Sequence, residues 1–279
     1  MERKLPVGEV IGDSFRFGFD RFLLMIRLGW LPLAVLIAGG VLLSMSGVGA
    51  FGVAGIANAG LFALAIVVLI IGGLLFVPVY VILTQAAAYG RFEPPRGLFG
   101  ALRFGGREGR VIGATLLLAV IFIAAVVVGS MLIAALGAVF GQGGGGGVLV
   151  LVLVGIAFVA VLLWLYTRLL LFVPLAAIEN RISLSAAWAA TKGNAWRLFA
   201  VVLVFAALSI AISLVFQAIQ LTALTVGQVG GGAAVVTILV GLLQIPIQLW
   251  QSLVGIAYPA KSLGALRPPT EAELSDVFA

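Results

Sequence analysis

The sequence predicts an all-α fold, a polytopic membrane helical bundle with six transmembrane helices arranged as three hairpins. Of its 279 residues, 63% are apolar and 9% are charged, whereas about a quarter of the residues in a soluble domain are charged. Several apolar stretches are long enough to cross a hydrocarbon core of ~30 Å. They lack the alternation that a membrane β-barrel needs, so helices must satisfy their backbone N–H and C=O groups.

The predicted spans follow one another with short connections and fill a single membrane domain, residues 1–279. They cover approximately residues 28–45, 61–83, 111–140, 148–175, 198–222 and 233–258. The third and fourth stretches are longer than a perpendicular crossing requires, so we expect them to tilt, kink or project. Charges flank the short apolar positions before the first span, and we therefore expect no cleaved signal peptide.

The charged residues fall in four places that a six-span chain puts on one side of the membrane. These places precede the first span, join the second to the third, lie near the fourth and fifth, and follow the sixth. The opposite connections, SGVGAFGVAGIANAG, GQGGGGG and GQVGGG, are rich in glycine and carry no charge. The positive-inside rule therefore predicts that the charged segments and both termini are cytoplasmic.

The chain carries a net charge of +6, which predicts that its basic residues lie near negatively charged groups of a partner. They sit beside apolar spans rather than in a domain of their own, so we expect membrane lipids with anionic headgroups on the cytoplasmic side, and no nucleic acid. The sequence leaves open whether the chain has a protein partner or forms a homo-oligomer.

An internal threefold pattern is indicated by short motifs. Arg16-Phe17-Gly18 recurs at Arg103-Phe104-Gly105, and Phe76-Val77-Pro78 recurs at Phe172-Val173-Pro174. We predict three repeats, each a cytoplasmic interfacial amphipathic helix followed by a hairpin, with the interfacial helices at approximately 7–26, 95–109 and 182–194.

The prolines in the spans have two interpretations, a tolerated kink or a gating hinge. The glycine pairs at 39–40 and 72–73 predict close helix packing.

The sequence lacks residue types on which many enzymes depend for catalysis. It has no cysteine and no histidine, so it lacks thiolate nucleophiles, the commonest general base and the commonest zinc ligand. The acidic residues show no paired or metal-ligand spacing. We predict no catalytic, cofactor-binding or metal-binding residue, no cofactor, and a protein that is not an enzyme.

Two polar stripes mark the fifth and sixth spans. Their members recur at helical spacing, and the predicted path residues are Ser209, Ser213, Gln217, Gln220, Gln244, Gln248 and Gln251. One interpretation is hydrogen bonding between packed helices. The other is a polar path for a small molecule or a lipid, which would make the protein a transporter or facilitator.

A dense motif begins within the fourth span and continues beyond it, in the segment RLLLFVPLAAIENRISLSAAWAATKGNAWR. The residues that make up this motif are Arg168, Pro174, Glu179, Leu184, Trp188, Thr191, Lys192, Gly193, Asn194, Trp196 and Arg197. Physically, 191–194 predicts the end of an interfacial helix with Gly193 or Asn194 as its C-cap, and tryptophans anchored at headgroup level. Arg168 is the one charge well inside a span; it can reach towards the cytoplasm or hold a phosphate headgroup.

This segment resembles the YciC-type bacterial inner-membrane proteins and the related membrane domain of some glycerophosphodiester phosphodiesterases. The chain departs from the family pattern at Ser185 and Ala186, where similar members carry a basic pair. The resemblance implies a multi-pass bacterial inner-membrane protein and no phosphodiesterase activity, since that active site belongs to a separate soluble domain. The function that we expect is non-enzymatic support of envelope or lipid organisation, with the transporter as the alternative.

Overall fold

The structure, a computed structural model, describes residues 4–46, 58–90, 100–140, 145–230 and 233–267. Within these ranges the chain is helical and has no strand, so the all-α prediction is confirmed. The helices are α1 Val7–Asp20, α2 Phe22–Met45, α3 Ala59–Tyr89, α4 Gly106–Phe140, α5 Gly145–Leu169, α6 Phe172–Glu179, α7 Leu184–Ala190, α8 Ala195–Gly230 and α9 Ala233–Leu266. Most of the three uncharged connections, at 47–57, 141–144 and 231–232, lies outside the described residues.

Six helical segments are long and apolar enough to cross a membrane, as predicted: α2, α3, α4, α5 together with α6, α8 and α9. Local signals fix some of their ends. The Asn58 side chain accepts a hydrogen bond from Leu61 N at 3.0 Å and caps the start of α3. Gly90 takes the left-handed conformation, with φ of 69°, and ends the same helix. These six segments define a multi-pass membrane protein.

The fourth span is interrupted, whereas the sequence predicted only that it would tilt, kink or project. Helix α5 ends at Leu169, residues 170–171 form a turn, and α6 begins at Phe172. Pro174 lies just beyond the break, where it has no N–H to donate to the carbonyl of Leu170 and its ring crowds that carbonyl. The short helix α6 is almost fully buried, with Phe172, Leu175, Ala176 and Ala177 at 0–1% exposure. It therefore forms the centre of the bundle.

The segments preceding the hairpins differ from one another. Helix α1 ends at Asp20, and the residues from Phe22 already belong to α2, so the first predicted interfacial helix is shorter than expected. Helix α7 lies inside the third predicted range, and the Ser183 hydroxyl caps it by accepting from Ala186 N at 3.1 Å. The charged side chains of α1, namely Glu9, Asp13, Arg16 and Asp20, are exposed.

The second predicted interfacial helix, at 95–109, needs correction. Residues 102–105 are not helical, and α4 begins at Gly106, whereas 91–99 lie outside the described part of the chain. The reason is a cap: Glu108 Oε2 accepts a hydrogen bond from Gly105 N at 2.8 Å. This contact starts the helix at that point, so residues 106–109 form the first turn of the span itself.

Glycine lets α2 and α3 approach closely, as predicted, but only one glycine of each predicted pair, Gly39 and Gly72, lies at the contact. A Cβ atom added at Gly39 would lie 2.8 Å from the Leu69 side chain, and one added at Gly72 would lie 2.9 Å from the Leu36 side chain. Real Cβ atoms do not come that near to other atoms. The hairpin is therefore packed by backbone-to-side-chain contact, which is how helices associate in lipid without a hydrophobic driving force.

Candidate functional site

Glu179 and Asn180, at the end of α6, connect this helix to α4 and to the end of α9. Its carboxylate forms ion pairs with Arg181 at 2.7 Å and with Arg267, just beyond α9, at 2.8 Å. The next residue, Asn180, has a positive φ of 54° and closes α6, and its side chain accepts a hydrogen bond from Arg110 of α4. Glu179 therefore holds the end of α6 to α9, and the neighbouring Asn180 holds it to α4. We call this part of the molecule the charged end of the bundle and define it as the end that carries α7 and these ion pairs.

The turn at 191–194 binds the N-terminal segment, a contact that the sequence analysis missed. Asn194 Oδ1 accepts a hydrogen bond from Leu5 N at 2.9 Å, and Arg197 Nη1 donates to Leu5 O at 2.9 Å. The Leu5 side chain is 1% exposed and Asn194 is 4% exposed. These two motif side chains, predicted as headgroup contacts, thus have polar partners inside the protein.

The predicted C-cap of α7 also needs correction. The helix ends at Ala190 with Thr191 as its C-cap, and Gly193 follows with a positive φ of 74°. Thr191 is fully buried, and its hydroxyl donates to the carbonyl of Trp188 at 3.0 Å, so Thr191 stabilises the helix end in place of the predicted Gly193 or Asn194. The same hydroxyl lies 3.4 Å from the carbonyl of Arg168, which brings the turn against the end of α5.

Arg168 packs against two tryptophan rings that also contact each other. Its guanidinium carbon is 5.6 Å from the ring centroid of Trp164 and 5.1 Å from that of Trp188, and the two rings pack edge to face. Such cation–π contacts orient an arginine but do not use its N–H groups. Arg168 Nε and Nη1 are buried and have no hydrogen-bond partner, and no carboxylate of the described residues forms an ion pair with this side chain.

Trp164 was not singled out from the sequence, although a signal was present. It precedes Arg168 by one helical turn on α5, and residues four apart on a helix share a face. That spacing alone would have predicted the contact.

The Arg168 guanidinium lines a cavity of about 410 Å³ between α5 and the start of α8, which we call the Arg168 cavity. Its walls are mostly apolar, and they are formed by Ala160, Leu163, Trp164, Thr167, Arg168, Gly193, Ala195, Trp196 and Phe199. The outer tryptophans are open to the surroundings, since Trp164 is 48% and Trp196 81% exposed. The cavity thus combines one cation with unused donors and an apolar wall, a chemistry suited to an anion that carries an apolar chain.

Most of the motif residues discussed above lie in three places. Arg168, Trp188, Gly193 and Trp196 lie at or beside the Arg168 cavity. Asn194 and Arg197 bind the N-terminal segment, and Glu179 joins the helix ends. Pro174 lies in α6, away from that cavity, and Lys192 is exposed in the turn.

The polar stripes of the fifth and sixth spans lie elsewhere. Ser209, Ser213 and Gln217 of α8 are exposed on the bundle, as is Gln248 of α9. Gln244 and Gln251 are half-buried, and the side chain of Gln220 lies outside the described residues. None of the stripe residues lines the Arg168 cavity. A polar path along these stripes therefore stays a prediction.

No protein-family model, curated protein or solved structure matches this chain. The resemblance to YciC-type proteins stays a prediction. The fold defines the class, a multi-pass helical membrane protein, and the functional argument rests on the geometry of its own residues.

Proposed function

We propose that this chain is a non-enzymatic multi-pass protein of the bacterial inner membrane that binds an anionic phospholipid and thereby supports lipid or envelope organisation. The observation that carries the proposal is the Arg168 guanidinium, which packs against Trp164 and Trp188 and whose Nε and Nη1 are buried without a hydrogen-bond partner among the described residues. Arg168 as a whole is half-buried, but these two nitrogens are buried, and a buried donor without an acceptor is costly. A bound phosphate would remove that cost.

Phosphate suits this cation because guanidinium groups donate short, charge-assisted hydrogen bonds to phosphate oxygens. The apolar wall of the Arg168 cavity would take the first part of an acyl chain. Tryptophans such as Trp188 and Trp196, both exposed, prefer the level of the headgroups. Position, charge and wall chemistry therefore favour a lipid over a free anion.

The orientation belongs to the same proposal. If the charged end faces the cytoplasm, as the positive-inside rule predicts, the Arg168 cavity opens to the leaflet that is rich in anionic lipid. The Glu179 carboxylate is already paired with Arg181 and Arg267, so it does not compete for Arg168. Membership of the YciC-type family would agree with this placement.

Lipid binding by Arg168→Gln tests the proposal. The full chain in detergent is titrated with phosphatidylglycerol or with phosphatidylcholine of the same acyl chains, and bound lipid is counted by native mass spectrometry. We expect wild type to prefer phosphatidylglycerol and Arg168→Gln to bind it about tenfold or more weakly, since charge-assisted hydrogen bonds are lost.

Arg181→Gln is the matched control, because its side chain is 57% exposed and lies outside the Arg168 cavity. It should bind phosphatidylglycerol like wild type. Glycerol phosphate without acyl chains should compete poorly. Equal binding of the two lipids by wild type, or equal losses in both variants, would contradict a lipid site at Arg168.

A further inference from the structure

A second cavity lies at the centre of the bundle, where α3, α4, α5, α6 and α9 meet. It has a volume of about 350 Å³, and three tyrosines line it, Tyr80, Tyr166 and Tyr258. We call it the tyrosine cavity. Its other walls are largely apolar, including Phe76, Leu118 and Val173. Small-molecule sites commonly have this size and this mixture of apolar wall and few polar groups.

The polar side of the tyrosine cavity is neutral. The hydroxyl oxygens of Tyr166 and Tyr258 are 2.8 Å apart and share a hydrogen bond, and the hydroxyl-bearing Thr115 also lines the space. A hydroxyl both donates and accepts, so the pair retains hydrogen-bonding capacity for a third group. None of the described residues that line this cavity carries a charge.

Three prolines, Pro78, Pro174 and Pro259, lie in the wall of the tyrosine cavity or directly follow a residue of that wall. The residues that precede Pro78, Pro174 and Pro259, namely Val77, Val173 and Tyr258, all line it. A proline cannot donate to the carbonyl four residues earlier. Those carbonyls include Leu170 O and Gly255 O, and both residues are also part of the cavity wall. Backbone acceptors released in this way are a common device for ligand binding at membrane depth.

We infer that the tyrosine cavity binds an uncharged amphiphile whose polar end carries a hydroxyl group. A hydroxyl can donate to the released carbonyls and bond the tyrosine pair at the same time. A charged ligand is excluded, because the described wall offers no counter-ion and an unpaired buried charge is costly. The opening lies beside the exposed residues Gly73 of α3 and Thr115 of α4, so entry is from the bilayer.

This inference is independent of the lipid site at Arg168. Arg168 does not line the tyrosine cavity, and no residue is shared between the two cavity walls. The ligands also differ in charge. Either site can therefore fail its test without affecting the other.

Filling the cavity provides the test. Gly73→Leu and Gly255→Leu are suitable, because an added Cβ at either glycine meets no atom within 4 Å. Binding of monooleoylglycerol to the full chain in nanodiscs is measured by native mass spectrometry, beside methyl oleate, which lacks the hydroxyl groups. We expect wild type to bind monooleoylglycerol at least about tenfold more tightly than methyl oleate, and both filling variants to lose about tenfold or more of that affinity.

Gly155→Leu is the control, since its added Cβ is equally free and the residue lies outside the tyrosine cavity. It should bind like wild type. Tyr258→Phe keeps the ring that stacks on Phe205 and should weaken monooleoylglycerol about tenfold while leaving methyl oleate unchanged. Each variant is first checked for a wild-type melting temperature. Wild-type affinity in both filling variants, or equal binding of the two probes, would overturn the inference.

Discussion

Replacing Gly18 by leucine is expected to separate α1 from α9. A Cβ atom at this position would lie 2.6 Å from Val254 Cγ2 and 2.9 Å from Trp250 Nε1, so these side chains or the helices that carry them must shift. Forcing extra atoms into a packed contact costs about 1–3 kcal/mol. We expect a corresponding loss of stability, measured by reversible unfolding in mixed micelles, and faster proteolysis of the segment around α1.

Gly12→Leu is the matched control on the same helix. Gly12 is exposed, and an added Cβ meets no atom within 4 Å. Leucine is the better helix former, so this variant should be as stable as wild type or slightly more stable. If Gly18→Leu and Gly12→Leu unfold alike, α1 is not docked on α9 as the structure has it.

Replacing Asn194 by leucine is expected to release the N-terminal segment. The Asn194 side chain is 4% exposed and accepts from Leu5 N at 2.9 Å, so its removal leaves a buried N–H without that acceptor. Losing a buried partner in this way costs about 1–3 kcal/mol. Thermal unfolding of the full chain should detect the loss, and hydrogen exchange should rise first in residues 5–10.

Lys192→Leu is the comparison within the same turn. Lys192 is exposed, and substitutions of this kind change stability by only about 0.5 kcal/mol. Both variants gain the same apolar side chain, so a difference between them reports the Leu5 contact. Unchanged exchange at residues 5–10 in Asn194→Leu would count against a structural role for this motif residue.

The six spans could be predicted because long apolar runs have few alternatives in lipid. The interruption of the fourth span could not. The same triplet Phe-Val-Pro occurs at Phe76 and at Phe172, yet Pro78 lies inside the continuous helix α3, whereas Pro174 follows the break between α5 and α6. Proline weakens a helix in both places, and the packing of neighbouring helices decides whether the helix breaks.

Some features of the candidate site could likewise be predicted from the sequence, and others could not. Arg168 stood out as a charge inside a span, and Trp164 shares its helical face. The contact of Leu5 with Asn194 joins residues 189 positions apart, and no local sequence pattern in either segment predicts it. The tyrosine cavity likewise depends on five helices meeting, so only its prolines could be noticed beforehand.

The most direct test of lipid binding at Arg168 is a density map of the full chain in nanodiscs of phosphatidylglycerol and phosphatidylethanolamine. We predict a headgroup phosphate in the Arg168 cavity, with an oxygen about 2.7–2.9 Å from Arg168 Nε or Nη1 and the guanidinium still packed against Trp164 and Trp188. A cavity that holds only acyl chain, with the Arg168 guanidinium turned out to water or paired with a carboxylate of the protein, would contradict the proposal.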